Sequence, residues 1–165
     1  MVSLLDTLFS RLTASRQPDR PRLRGRAYAC RCGRPVFFRN SKCLACGAEL
    51  GYETGQGEVR ALQPSAVEGL WHLDGIDDPA QAYRRCANLD TPAGCNWLVE
   101  AADPQPLCRS CRLNRTIPDL ADADNPRYWR AIENAKRRLV SQLLGLGLPV
   151  ASDLRTEPAA PRPGS

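Results

Sequence analysis

Eight cysteines, arranged in two sets of four, constrain this 165-residue chain more than any other feature. The first set has the spacing C-x-C-x10-C-x2-C and the second has C-x8-C-x12-C-x2-C. Two cysteine pairs that are separate in sequence can surround one tetrahedral zinc ion. The spacing therefore predicts two structural zinc sites, about two zinc ions per chain. The expected ligands are Cys30, Cys32, Cys43 and Cys46 in one site, and Cys86, Cys95, Cys108 and Cys111 in the other.

The composition agrees with a fold that depends on metal. Aromatic residues make up 6% of the chain, and 14 prolines and 12 glycines require many turns. A small segment with few bulky side chains buries too little apolar surface to offset its chain entropy, and metal is a usual remedy. We expect a small metal-stabilised α+β fold: a zinc ribbon of short β-hairpins, a second four-cysteine β unit and a long amphipathic C-terminal helix.

Rubredoxin-type iron and disulfides are the alternatives to zinc. Disulfides need an oxidising compartment. The N-terminus lacks the basic start and clean cleavage site of a signal peptide, and Asp6 and Thr7 interrupt its apolar stretch. No run approaches the length that spans a bilayer. A reducing cytoplasm is therefore the expected location, and there this cysteine spacing favours metal.

The motifs divide the chain into five predicted segments. Within the ribbon, residues 35–39 are β-prone, and residues 50–52 are expected to return alongside them. Further strands are expected at residues 58–62 and 70–73, the second of which contains His72 as an ordinary strand residue. The segments are an amphipathic helix with an Arg-rich linker (1–26), a zinc ribbon (27–56), a second four-cysteine unit (57–120), a C-terminal helix (121–149) and a disordered tail (150–165).

Individual residues mark the turns and packing of these segments. Gly33 and Gly47 directly follow a close cysteine pair, where a positive φ lets the backbone turn its N–H groups toward the sulfurs. Trp97 is expected to pack beside the second metal. The predicted helix over residues 3–12 docks on the body or frays, with a membrane-surface helix or a partner-binding helix as the alternative.

The C-terminal helix carries clear start and stop signals. Asn125 is a predicted N-cap, and Pro126 suits the first helical position. Gly145 and Gly147 end the helix. The apolar stripe is wide for so small a body, so we expect residues 126–146 to pack on the second metal unit, on a protein partner or on a missing peptidase domain. The stripe contains Tyr128, Ile132, Ala135, Leu139 and Leu143, widened by Trp129, Val140 and Leu144.

The formal charge of +5 raises the alternative of a nucleic-acid-binding ribbon with a basic N-terminal arm. Each four-thiolate zinc site carries −2, so two loaded sites bring the net charge to about +1. Residues 1–26 hold six arginines against Asp6 and Asp19, a local charge of +4, so the rest of the zinc-loaded chain carries a charge of about −3. Nucleic acid is therefore the less favoured partner. The arginines near the second set are expected to offset the thiolate charge and donate to its sulfurs: Arg85, Arg109, Arg112 and Arg115.

Two runs of sequence resemble a bacterial family of predicted zinc-dependent metallopeptidases. CRCGRPVFFRNSKCLACGAELGY is similar to the N-terminal zinc-ribbon region of that family. CNWLVEAADPQPLCRSCRLNRTIPDL, followed by NPRYWRAIENAKRRLVSQLLGLGLP, is similar to its second cysteine unit and connecting helix. The resemblance covers residues 27–150 and implies that the first set binds one zinc ion. The second zinc site rests on its spacing.

Members of that family continue into a larger domain with a His-Glu-x-x-His motif, which binds zinc and supplies a general base. This sequence has one histidine, so no position inherits the catalytic residues, and the chain as given is expected not to hydrolyse peptides. The expected role is a structural or interaction module that stands without a peptidase domain, or the front half of a split or truncated gene. A thiol redox role for Cys108 and Cys111 is disfavoured, because each close pair has two further cysteines with which to share a metal.

Overall fold

The computed structural model describes residues 27–76, 78 and 81–150. The predicted N-terminal helix with its Arg-rich linker, and the predicted tail from residue 151 onward, lie outside the described residues. The elements are strands β1 (Ala27–Ala29), β2 (Pro35–Phe37), β3 (Leu50–Glu53), β4 (Glu58–Pro64), β5 (Trp71–Leu73), β6 (Tyr83–Arg85) and β7 (Leu98–Glu100), a 3-10 turn (Cys111–Leu113) and helix α1 (Asn125–Gly145).

The strands form two antiparallel sheets. β1 and β2 make a hairpin in which Ala27 lies opposite Phe37. The other five strands follow one another in chain order from β3 to β7. The strands predicted at residues 58–62 and 70–73 are confirmed as β4 and β5. Together with two four-cysteine groups and the long helix, these sheets make a small α+β fold consistent with metal stabilisation.

The expected pairing of residues 50–52 with residues 35–39 is wrong. β3 pairs with β4, and β2 pairs with β1. The turn after β3 explains the difference, because the buried Glu53 carboxylate accepts hydrogen bonds from the amides of Gly55 and Gln56, both at 2.6 Å. This cap folds β4 directly back on β3. The predicted boundary at residues 56 and 57 falls within that turn, and the division into segments stays a prediction.

One apolar core contains cysteines of both sets. Six of the eight thiols are buried in it together with Trp97, Tyr52 and, from the helix, Val140. A smaller cluster under the sheet consists of Leu62, Leu73, Tyr83 and Leu98. Gly51 permits the approach of the two clusters, since a Cβ there would lie 2.4 Å from a methyl of Leu98.

The helix occupies nearly its predicted range, and the edge of the predicted stripe that contains Trp129, Val140 and Leu144 faces the body. The N-cap is Asp124 rather than Asn125, and the chain leaves the helix through Gly147 at a φ of 70°. Of the predicted stripe, Tyr128, Ile132 and Leu139 are more than half exposed. No helix in the described part of the chain is long and apolar enough to cross a membrane. The helix residues buried against the body are Trp129, Glu133, Arg137, Val140 and Ser141.

Candidate metal centres

The first cysteine set, which we call site I, is built from two tight turns. The turn after β1 is closed by the amide of Gly33, which donates to the Cys30 carbonyl at 2.8 Å. The amide of Gly47 donates to the Cys43 carbonyl at 2.9 Å in the second turn. Gly33 and Gly47 have φ values of 77° and 72°, as their positions in the sequence predict. The single residue between Cys30 and Cys32 therefore does not prevent the set from assembling.

The sulfur positions of site I fit a tetrahedral ion. All four Sγ atoms lie within 4.8 Å of one another. Cys30 Sγ lies 3.7 Å from Cys46 Sγ, and Cys32 Sγ lies 3.8 Å from Cys43 Sγ. Four sulfurs at about 2.3 Å from a zinc ion are separated by about 3.8 Å from each other. A disulfide would instead bring two sulfurs to about 2.05 Å.

The cysteines of site I differ in pKa and in exposure to solvent. Backbone amides of Cys46 and Ala45 donate to the Cys43 sulfur and lower its pKa to about 6. Burial raises the pKa of Cys30 to about 12. Cys32 and Cys46 are exposed, whereas Cys30 and Cys43 are buried. Site I therefore lies at the surface, with two sulfurs inward and two facing solvent.

The second set, which we call site II, lies at the junction of the sheet, the 3-10 turn and the helix. Cys86 follows β6, Cys111 begins the 3-10 turn, and all four cysteines are buried. Cys95 Sγ lies 3.6 Å from Cys108 Sγ, again the spacing of a tetrahedral thiolate site. The Cys108 amide donates to Cys86 Sγ at 3.4 Å. Hydrogen bonds from the other three thiols, and from that amide, lower the pKa of Cys86 below its ordinary value.

Both sites offer four sulfur ligands in a closed arrangement. Four protein ligands fill a tetrahedral zinc ion, whereas catalytic zinc sites keep one position open for water or substrate. The geometry therefore suits ions that hold the fold together. Within the described residues, His72 belongs to neither group and lies on β5, opposite Gln63 of β4.

Two polar side chains next to site II cysteines tie the sites together. Arg85, which precedes Cys86, forms an ion pair with Glu49 at 2.5 Å and donates to the Leu50 carbonyl at 3.0 Å. Asn96, which follows Cys95, donates to the carbonyls of Phe38 and Asn40, both at 2.9 Å. Sequence reasoning missed Asn96, whose only signal is a polar residue at the start of an apolar run.

The expectation that arginines donate to the sulfurs of site II is not what the structure shows for Arg85 and Arg112. Arg112 pairs with Asp103 at 2.5 Å and donates to the Leu107 carbonyl at 2.7 Å. These two guanidinium groups therefore brace the loops that carry the cysteines. Arg109 and Arg115 are exposed.

Helix α1 docks directly on site II. The Oε2 atom of the buried Glu133 lies 3.9 Å from Cys111 Sγ, and Lys136 pairs with the other carboxylate oxygen at 2.7 Å. Arg137, also buried, donates to the Ala93 carbonyl in the loop between Cys86 and Cys95, at 2.9 Å. The helix thus turns two charged residues inward, where Glu133 has Lys136 as its partner and Arg137 has a backbone carbonyl.

Trp97 anchors the core next to site II, as predicted. Its side chain is fully buried in the cluster that contains all four cysteines of the site. Its ring lies 4.8 Å from that of Tyr52 and 6.3 Å from that of Phe38, between centroids. Phe38 belongs to the ribbon loop, so these three rings extend the contact between the two metal units.

Comparison with known proteins supports this description. Three relatives are uncharacterized proteins, one from Mycobacterium bovis and two from strains of Mycobacterium tuberculosis; each is 34% identical over 119 residues, which cover 72% of this chain. The chain spans 30% of the length of these relatives. No solved structure matches significantly. Residues 27–122, which include both cysteine sets, match the zinc-ribbon domain family, and the chain belongs to that family.

Proposed function

We propose that this chain is a structural zinc module in which two zinc ions form part of the core. The observation that carries this proposal is the single apolar cluster that contains Cys30 and Cys43 of site I, all of site II, and Val140 of the helix. Without metal, four sulfur atoms would lie within 4.8 Å of one another with no cation between them. Burial and mutual repulsion would then keep most of the thiols protonated. A bound zinc ion deprotonates them and fixes their positions. All eight cysteines are the proposed ligands.

Metal analysis of the purified chain tests the proposal. Native mass spectrometry is expected to show two zinc ions per chain and no disulfide. Removing zinc with a strong chelator is expected to unfold the chain, because the binding energy of a structural zinc ion is also folding energy. A metal-free chain that retains its helix signal and thermal transition would contradict the structural role. Closed thiolate sites require reduced cysteines, so we propose a cytoplasmic location.

The relation to metallopeptidases is a hypothesis about longer proteins. The relatives are more than three times as long as the region they share with this chain. A His-Glu-x-x-His motif would have to lie outside residues 1–165, since this sequence has one histidine. If the remaining part of the relatives contained such a motif, this would favour the hypothesis that the module is a structural unit next to a peptidase domain. The proposed partner surface is helix α1.

Nucleic-acid binding remains the second candidate, and it has weaker support. Exposed arginines and a lysine surround site I, among them Arg34, Arg39 and Lys42. The basic arm on which the prediction rests lies outside the described residues. Binding to duplex DNA or RNA that falls steeply with salt would support it. Flat titrations at low salt would exclude it.

A further inference from the structure

The outward face of helix α1 carries a regular apolar stripe. Its positions follow one another at intervals of four and three residues, which is the heptad spacing of a helix that packs against a second helix. The four large apolar side chains are 51–64% exposed, although they extend along the whole helix. The stripe contains Tyr128, Ile132, Ala135, Leu139 and the C-cap residue Leu146, with the polar Gln142 at the one remaining position of the repeat.

The shape of this stripe suits a helix better than a membrane surface. Two positions in every seven make a narrow seam, whereas a helix that lies in a lipid interface presents a broad apolar face. One position of the seam is Ala135, and a small residue there lets two helix backbones approach closely. The next equivalent position is the polar Gln142. The seam therefore has the form of one half of a helix pair.

The charges beside the stripe favour an acidic partner. Of the five basic residues of helix α1, Arg137 is buried and Lys136 pairs with the buried Glu133, whereas three are exposed: Arg127, Arg130 and Arg138. Arg138 is exposed next to the stripe, and with Arg39 of the ribbon it lines a groove of about 460 Å³ that includes Ala135 and Leu139. A second copy of the helix would bring only positive charge against this groove. Acidic side chains on the flank of a partner helix would complement it.

We propose that this face binds an amphipathic helix with acidic flanks, supplied by polypeptide outside residues 1–165. The relatives contain further polypeptide over more than two thirds of their length, which provides a source for such a helix. The binding of a helix in an apolar seam with i, i+3, i+4 and i+7 anchors is a recurring mode of recognition. This inference goes beyond the structural role of zinc and rests on it only because site II holds α1 in place.

Binding of two designed peptides to the zinc-loaded full chain tests the inference. Both peptides repeat a heptad with leucine at the two seam positions; one has glutamate at the flanking positions and the other has lysine. Fluorescence anisotropy is expected to show binding of the acidic peptide, at least about tenfold weaker binding of the basic peptide, and weaker acidic binding at high salt. Leu139→Asp is expected to abolish binding, and Arg138→Glu to weaken it about tenfold.

Leu44→Asp is the matched control, because Leu44 is exposed on the ribbon turn and does not line the groove beside the helix. It is expected to leave the affinity for the acidic peptide unchanged. Each variant must retain two zinc ions by mass spectrometry, so a failure of this inference is distinct from a failure of the structural role. The inference is overturned if neither peptide binds, if both bind equally, or if Leu44→Asp is as harmful as Leu139→Asp.

Three other occupants of the face would also overturn it. Sedimentation that shows a dimer, converted to a monomer by Leu139→Asp, would assign the face to a second copy of the chain. Binding to phosphatidylserine vesicles without binding to the acidic peptide would assign it to a membrane surface. Peptide binding that occurs only after deletion of residues 1–26 would assign it to the chain's own N-terminal segment.

Discussion

Site I and site II have the same four thiol ligands and nearly the same sulfur spacing, but their surroundings differ. Two of the cysteines of site I face solvent, whereas all four of site II are buried. Site I closes two turns in its own part of the chain. Site II gathers the ends of two strands, the 3-10 turn and the helix. The two sites therefore have the same ligands but different structural roles, one local to the ribbon and one at the junction of several elements.

The comparison shows how one metal site can depend on the other. The side chains that join them come from residues next to site II, namely Arg85 and Asn96, and their acceptors lie in the ribbon. The loss of site II would displace these donors and the helix together. The loss of site I would loosen only the part of the ribbon that carries the accepting carbonyls. We therefore expect site II to determine the stability of the whole chain and site I that of the ribbon.

The largest expected effect comes from removing one ligand of each site. Cys111→Ser is expected to unfold the chain, because a structural zinc ion contributes on the order of 10 kcal/mol, comparable to the total stability of a small domain. Cys46→Ser is expected to leave one bound zinc ion and most of the helix signal, since Cys46 is exposed in site I. Circular dichroism and native mass spectrometry measure both. Equal loss of helix in the two variants would remove the distinction between the sites.

Replacement of Asn96 tests the contact between the units. Asn96→Ala is expected to lower the free energy of unfolding by about 2–4 kcal/mol, because it removes two hydrogen bonds and leaves two carbonyls without their donor. Urea denaturation of the zinc-loaded chain measures the change. Gln105→Ala, at an exposed position, is the control and is expected to stay within about 0.5 kcal/mol of the original chain. A similar small effect for Asn96→Ala would mean that the two units are held together by other contacts.

A smaller effect is expected from Arg85→Lys. Lysine keeps the charge near Glu49 but loses the planar fork that also reaches the Ser41 and Leu50 carbonyls. The free energy of unfolding is expected to fall by about 1–2 kcal/mol. Arg109→Lys, at an exposed position beside Cys108, should change nothing measurable. If the two variants behave alike, Arg85 acts as a general positive charge, as the sequence alone suggested.

The sequence predicted the features that depend on local chemistry. The spacing of the cysteines, with Gly33 and Gly47 at positive φ, predicted both four-cysteine groups. Pro126 and Gly147 predicted the ends of the helix to within a residue or two. Trp97 was predicted to be buried because it follows Cys95 in an apolar run. These signals act over a few residues, so they can be read without knowledge of the fold.

The sequence did not predict the features that depend on distant partners. Asn96 bonds to carbonyls 56 and 58 residues away, and no spacing rule connects them. The inward face of the helix was predicted from apolar spacing alone, but Glu133, paired with Lys136, and Arg137, bonded to the Ala93 carbonyl, also face inward. Their burial leaves the heptad stripe exposed. Trp129 and Val140 of the predicted stripe are buried beside them, so charged residues with partners in the fold can shift the buried face away from the centre of an apolar stripe.

Stepwise release of zinc distinguishes the two sites within a single sample. The zinc-loaded chain is exposed to a chelator and an alkylating reagent, and zinc content and modified cysteines are followed together by mass spectrometry. The account predicts that a species with one zinc ion accumulates, with Cys32 and Cys46 alkylated first, site II protected and the helix signal retained. The second ion then leaves together with the helix signal. Simultaneous loss of both ions, or earlier alkylation of site II, would contradict the account.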